Sequence, residues 1–550
     1  MNTQHSAMND GANPFKILML SVALSGIGNT KMAQARRTSK RTQASLIMLQ
    51  LLALLLSLLP TDNTWAAPDK AKGNTPWAMV LCKYPHEGVR ADWQPVNWRT
   101  FFVPGTGGLT DYFHDISYGT VNLSGSRVFG WFDLPYEKPE AERIINDAIV
   151  TKGNTLVFSN SANFHDSDVG KLIWIDGVLP AWTTIKSIRT NAVAEVSNAA
   201  VGAGTLVRAK IVRTREALIE DCVHTAESQI HFPDYYGIIA MRNDSIDADS
   251  TGRRTLNLNG VNKTYGLVLL ADWWLNVTHI SHEMLHGYGL QHSRNDLPST
   301  KSMCFKPGQP QSFTDYGDPF DIMSAMCVTS FPGTFGMATA QDTTSGPGMN
   351  AAMLDLMGWI PESRRWVWNG IQASTWLAPV NHPEWPGPLV AIVPLYDQPS
   401  HYYTIELRRA DRWDRAFADT SSGYSPAWIN PASTIPGRVL VHEVKMGEDG
   451  EPHSYLRSGM LDSCATRFDL QPNSFFTDAA NDLTIEVSTI VADAGSAAIT
   501  VRHRSPSDAS VCAASMPYTH EGEYGGNASV DKCTTCGPGG KTPPHRIQFQ

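Results

Sequence analysis

The sequence predicts an α+β protein: a twisted mixed sheet with helices, interrupted by an all-β insertion and followed by a β-sandwich-like region. Three observations carry this. Short apolar strand candidates alternate with helical patterns up to about residue 370. Residues 153–208 are rich in Thr, Val, Ile, Asn and Ser and run in short alternating stretches. From about Ala378 to Arg504 strands and turns follow one another without a helical period.

The first part opens with an apolar strand candidate at Trp77–Cys82, and Val121–Trp131 mixes apolar and polar residues as another. Arg213–Ile230 reads as a helix, with Ala217, Leu218, Cys222, Ala226 and Ile230 on its apolar side. Tyr236–Met241 and Tyr265–Leu270 are buried-strand candidates. A second helix follows, capped by Asp272 or Asn276, and Met353–Gly358 forms a last one. Within the insertion, Thr155–Phe158 and Lys171–Ile175 are the clearest strands. Its acidic residues Asp166, Asp168 and Asp176 offer oxygens to Ca²⁺, weighed against ordinary solvated loop acids. The Tyr402–Leu407 and Val439–Val444 segments read as sandwich strands, with Glu406 and His442 as polar positions on half-buried strands rather than as chemistry.

At 550 residues the chain exceeds one ordinary core, so several units are expected. The boundaries read as 1–67 for a leader, 68–370 for the first unit with 153–208 inserted in it, 371–505 for the sandwich, and 506–550 for a Cys/Gly/Pro-rich tail. Net charge is −9, while residues 1–67 carry six Lys/Arg against two Asp/Glu, so the remainder is more acidic still. That balance argues against a nucleic-acid partner.

The leader has the order of an export signal. Arg36, Arg37, Lys40 and Arg41 precede an apolar run of 14 residues, Leu46–Leu59, and Thr64-Trp65-Ala66-Ala67 offers small residues for cleavage. The run is short for a span of ~20 residues. A secreted or periplasmic protein with no stable membrane insertion after cleavage is expected, the alternative being a retained signal anchor. Translation from Met32 gives a more ordinary signal. The eight cysteines (Cys82, Cys222, Cys304, Cys327, Cys464, Cys512, Cys533 and Cys536) fit an oxidising compartment. Cys304–Cys327 is the favoured pair, and Cys533-Thr534-Thr535-Cys536 reads as structural bonding. Cys82 is expected in a disulfide rather than as an inhibitory thiolate.

The chemistry concentrates in His282-Glu283-Met284-Leu285-His286-Gly287-Tyr288-Gly289-Leu290-Gln291-His292, which reads H-E-x-x-H-x-x-G-x-x-H. On a helix His282 and His286 leave the same face, and Glu283 adjoins the first. Gly289 can adopt positive φ, ending the helix and returning His292 as a third ligand. Three imidazoles leave an open position on Zn²⁺, as catalytic sites require. The five fixed positions coincide by chance on the order of once in ten thousand chains of this length. Met323, thirty-one residues past His292, lies in Tyr316-Gly317-Asp318-Pro319-Phe320-Asp321-Ile322-Met323-Ser324 and is the Met-turn candidate.

These segments, with Leu356-Met357-Gly358-Trp359 and Tyr112–Gly119, resemble the gametolysin-like branch of the metzincin metallopeptidases over about residues 76–370. The resemblance implies a metzincin-type catalytic domain in which His282, His286 and His292 bind zinc, Glu283 is the general base and Met323 is the Met-turn residue. It implies hydrolysis of peptide bonds in extracellular or cell-wall proteins or glycoproteins. Two positions depart from the pattern: Leu285 stands where relatives carry a small residue, and Ala325 replaces a tyrosine that some metzincins place near the metal. An exported adhesin or glycan-binding protein on the same scaffold is the rival reading, which the intact Glu283 disfavours.

Overall fold

The computed structural model describes residues 71–504, apart from 90–92, 245–248, 272–274, 296–315, 325–327, 329, 334–343, 396–399, 419–436, 448, 458, 462–465, 468 and 492–494. The signal-like leader, the tail with its C-x-x-C, Cys304, Cys327, Ala325 and Asp272 lie outside these residues. Among the described residues no helix is long and apolar enough to cross a membrane. The architecture is mixed α+β, dominated by several sheets.

In chain order the first elements are β1 (Trp77–Lys83), α1 (Leu109–Ile116) and β2 (Arg127–Asp133). The insertion follows as β3 (Glu142–Val150), β4 (Leu156–Phe158), β5 (Leu172–Trp174), β6 (Ile185–Thr190), β7 (Val193–Val196) and β8 (Gly204–Val212). Next come α2 (Arg215–Ala226), β9 (Gly237–Arg242), β10 (Asp249–Leu258), β11 (Val261–Leu270) and α3 (Val277–Gly287).

The central sheet runs β10-β11-β9-β1-β2, parallel except for the antiparallel edge strand β10. Its strands bury alternate residues on opposite faces, as the two-residue side-chain period requires. Trp77, Met79, Leu81, Ile239, Met241, Val268 and Leu270 face α1 and α3, whereas Ala78, Val80, Cys82, Ile238, Ala240, Leu267 and Leu269 face α2. A disulfide joins Cys82 of β1 to Cys222 of α2, with a Cα–Cα separation of 5.8 Å. Cys82 is therefore a structural crosslink. The helix expected at Arg213–Ile230 is shorter: it starts at Arg215, where Thr214 caps it by accepting from the Ala217 amide, and it ends at Ala226.

The insertion is a six-stranded antiparallel sheet in the order β5-β8-β3-β4-β7-β6. It exceeds the expected 153–208, because β3 and β8 supply its longest pairing, from Glu142↔Val212 to Val150↔Gly204. Its entry and exit meet where the Arg213 amide donates to the Ala141 carbonyl at 2.9 Å. Leu172 and Val212 pack into the core on the α2 face, away from α3. Asp168 is fully buried and bonds Arg143, while Lys171 Nζ lies 3.0 Å from its Oδ1. Its oxygens are thus committed to cations of the chain rather than to Ca²⁺.

Beyond α3 lie β12 (Arg294–Asn295), a 3₁₀ turn at Ile322–Ser324, α4 (Ala351–Leu356), β13 (Arg365–Val367), β14 (Ala373–Leu377), β15 (Val390–Pro394), β16 (Tyr402–Arg409), β17 (Gly437–Met446), β18 (Pro452–Leu456), β19 (Ser474–Asp478), β20 (Leu483–Val491) and β21 (Ser496–His503). One sheet runs β12-β18-β17-β16-β15-β13, and a second contains β14-β21-β20-β19. They enclose a shared core that includes Leu377, Tyr403, Ile405, Leu407, Val439, Val441, Ile485 and Ile499. The expected boundary at 371 does not hold for the strands, since β13 pairs in parallel with β15 and β12 with β18.

The first of these sheets is covered on both faces. Along β15, Ala391 and Val393 enter the sandwich core, while Val390 and Ile392 join the core that holds α1, α3 and α4. On β16 and β17 that same second face carries Thr404, Glu406, Arg408 and His442, all essentially buried. Glu406 and His442 are therefore not half-exposed strand positions. Their alternation is the one expected of a solvated face, but another layer sits on it.

Candidate metal centre

Asn276 starts α3 by accepting from the His279 amide at 2.8 Å. All eleven residues of the helix are buried. Ile280, Met284 and Leu285 are fully buried in the core shared with the central sheet, and such burial stabilises by roughly 1.5–3 kcal/mol per large aliphatic side chain. The C-terminal turn lies close to the sheet. A Cβ on Gly287 would come within 2.6 Å of the Trp77 ring and 3.1 Å of the Gly266 Cα. Gly289 has φ 99°, the left-handed conformation that ends the helix. The chain then folds back until the Leu290 carbonyl accepts from His286 Nδ1 at 2.7 Å.

This return brings His292 to the other two histidines. The Nε2 atoms of His286 and His282 are 3.1 Å apart, and those of His286 and His292 are 3.0 Å apart. All three are buried, and among the described residues they form the one group of His, Cys, Asp or Glu with metal-ligand spacing. His282 Nδ1 donates to the Ile322 carbonyl at 2.9 Å, and His286 Nδ1 to that of Leu290. Each bond places the proton on Nδ1, leaving a lone pair on Nε2. Lone pairs converging at this distance repel unless a cation lies between them. Zn–N bonds of 2.0–2.1 Å in tetrahedral array would separate the nitrogens by about 3.3 Å. The donor set fits a metal ion.

Glu283 is 3% exposed, and its Oε1 lies 3.5 Å from His279 Nε2. Burial, with His286 nearby, pushes the His279 imidazole down to about 3, so it stays neutral beside the carboxylate. Met323 is completely buried in the 3₁₀ turn, directly after the carbonyl that holds His282. Its own carbonyl accepts from the Ser293 amide at 3.2 Å, which connects the turn to the residue after His292. The histidines, Glu283 and Met323 are thus brought together by one helix, one glycine turn and one 3₁₀ turn.

Three side chains near the centre carry no role in the sequence reading. The Tyr316 ring centroid lies 4.0 Å from that of His292 and 6.0 Å from that of His282. Its backbone has φ 66°, a strained value no sequence pattern announces. His279, one turn before Glu283, had the visible signal of i,i+4 spacing. His442 comes from the distant sheet, 150 residues beyond His292, and only packing reveals it.

Comparison with protein-family models and with curated proteins finds no match to the chain.

Proposed function

We propose that the chain is an exported zinc endopeptidase of the metzincin type. The observation that carries this reading is the convergence of three buried imidazoles, two of them protonated on Nδ1, next to Glu283 in the sequence of one helix and its return. His282, His286 and His292 would hold the ion. When bound, zinc supplies a Lewis acid and lowers the pKa of coordinated water towards about 7. Glu283 accepts the proton of the attacking water and passes it to the leaving amine. The carbonyls of Ile322 and Leu290 fix the tautomer and ring direction of two ligands, so the lone pairs are oriented before the ion arrives. No serine or cysteine nucleophile is needed. Protein or glycoprotein outside the cytoplasm is the proposed substrate.

The test is digestion of casein or gelatin by the purified mature chain, with and without chelator, alongside elemental analysis. About one zinc per chain and chelator-sensitive cleavage are expected. Zinc binding without cleavage would instead support the rival binding-protein reading, and absence of zinc would reject both the metal site and the enzyme.

A further inference from the structure

The metal centre is braced from the C-terminal sheet. His442 Nε2 on β17 donates to Asp318 Oδ2 at 2.9 Å, and both side chains are fully buried. Asp318 organises the segment that leads into the 3₁₀ turn: its Oδ1 accepts from the Phe320 amide at 2.9 Å, and its own amide donates to Ser324 Oγ at 3.1 Å. Asn350 Nδ2 reaches Asp318 Oδ2 at 3.0 Å and Ser454 Oγ of β18 at 3.3 Å. Ser324 Oγ in turn donates to the Ser293 carbonyl at 3.1 Å, next to His292. On the same sheet face, Glu406 Oε2 accepts from the Ala351 amide at 2.8 Å, at the start of α4. The two ends of this bonded path are ligands: His282 through the Ile322 carbonyl, His292 through Ser293.

We infer that His442 is a positioning residue of the metal centre, holding Asp318 so that the turn presents the Ile322 carbonyl to His282 and keeps Ser293 in place beside His292. The inference rests on the reading of the three histidines as metal ligands, and not on peptidase activity. The physical reason is the cost of the alternative. Without His442, Asp318 keeps only the neutral donors Asn350 Nδ2 and the Phe320 amide. A buried carboxylate that loses the one partner able to carry positive charge must shift towards another partner or draw in water, and either rearranges the segment it organises. That segment is also the outer shell of two ligands, where loss of orientation typically lowers metal affinity 10- to 100-fold. Burial disfavours the charged imidazole of His442, but Asp318 outweighs this and raises its pKa, in keeping with a donor committed to that carboxylate.

Two variants of the full mature chain separate positioning from bulk. H442Q places an amide nitrogen where Nε2 lies and can still donate to Asp318. H442N places one nearer the Nδ1 position, on the side of Glu406, and cannot reach. Zinc affinity is read by competition with a chromophoric chelator, and apo-protein melting is recorded separately. H442Q is expected to bind zinc within about threefold of the parent, and H442N about 10-fold more weakly. Equal zinc affinity in both variants overturns the inference, whatever happens to the melting temperature. Should H442N fail to fold, H442A against H442Q carries the same comparison and the same two outcomes. A parent chain that binds no zinc refutes the metal site itself, whereas one that binds zinc without hydrolysing peptides leaves this inference standing.

Discussion

The imidazole of His282 and the carbonyl of Ile322 are joined by a 2.9 Å hydrogen bond, which ties the first ligand of α3 to a turn forty residues later in the chain. The histidine-bearing helix α3 is therefore not a self-sufficient site. Its ligand geometry depends on where the 3₁₀ turn sits, and the turn is fixed by side chains from two further parts of the chain.

Glu283→Gln keeps the shape of the side chain and removes the proton acceptor. Zinc content should be unchanged, while turnover falls by at least ~10²-fold. Near-parental cleavage of a fluorogenic peptide by this variant would remove Glu283 from the mechanism.

Gly287→Ala tests how closely α3 must approach the sheet. The added methyl meets the Trp77 ring at 2.6 Å and the Gly266 Cα at 3.1 Å, neither of which is the flexible end of a side chain. Overpacking of this kind costs about 1–3 kcal/mol, so the melting temperature should drop and zinc affinity should weaken with it. An unchanged melting curve would mean that helix and sheet separate without cost.

Much of the centre was legible in the sequence because its parts are local. Two histidines four apart, an adjoining glutamate and a glycine at the turn need no tertiary information. Strand and helix positions around the central sheet were also readable, since apolar runs such as Gly237–Arg242 are buried throughout. What escaped was set by layers that meet far apart in the chain. Glu406 and His442 alternate with apolar neighbours as solvated residues do, and nothing local says that the face is covered. The insertion's extent escaped for a related reason: Glu142–Val150 has an exposed and a buried side like any edge segment, and only its pairing with Gly204–Val212 assigns it to the insertion.

That pairing changes how the insertion should be removed. Cutting out 153–208 removes β4 and the first half of β8, leaving β3 paired only through Glu142–Ile145 with Ala209–Val212, whereas removing 142–212 leaves ends that already meet at Ala141 and Arg213. With a short Gly/Ser linker, the second deletion should retain zinc and cleavage of a small peptide, because the insertion packs on the sheet face opposite α3. Any loss should appear on bulky glycoprotein substrates. Equal collapse on both substrates in a folded protein would place the insertion in the active cleft.

The insertion also has an acid-sensitive lock. Burial opposes ionisation of Asp168, but Arg143 and Lys171 outweigh it and hold its carboxyl at about 2, below the ordinary 3.8. A carboxyl depressed by folding contributes stability above its unfolded value and loses it as pH falls towards the folded one. The insertion should therefore weaken between about pH 4 and pH 2. Asp168→Asn should remove that pH dependence and cost about 3 kcal/mol at neutral pH, because two cations lose their counter-charge. Urea titrations of the insertion signal at several pH values check both statements; a parallel decline in parent and variant would reject the lock.

Export is expected to leave a mature chain beginning near Ala67 or Pro68, which amino-terminal sequencing can read directly. Retention of Leu46–Leu59 would favour the anchored alternative.

The Cys82–Cys222 bond closes a ring of chain that contains α1, β2 and the whole insertion. A protease that nicks any exposed loop within that ring cannot release a fragment by a single cut. The two pieces remain covalently attached and migrate together until a reductant is added. One cleavage within the ring would thus shed no mass, and damage of this sort would be visible only as two fragments on a reducing gel.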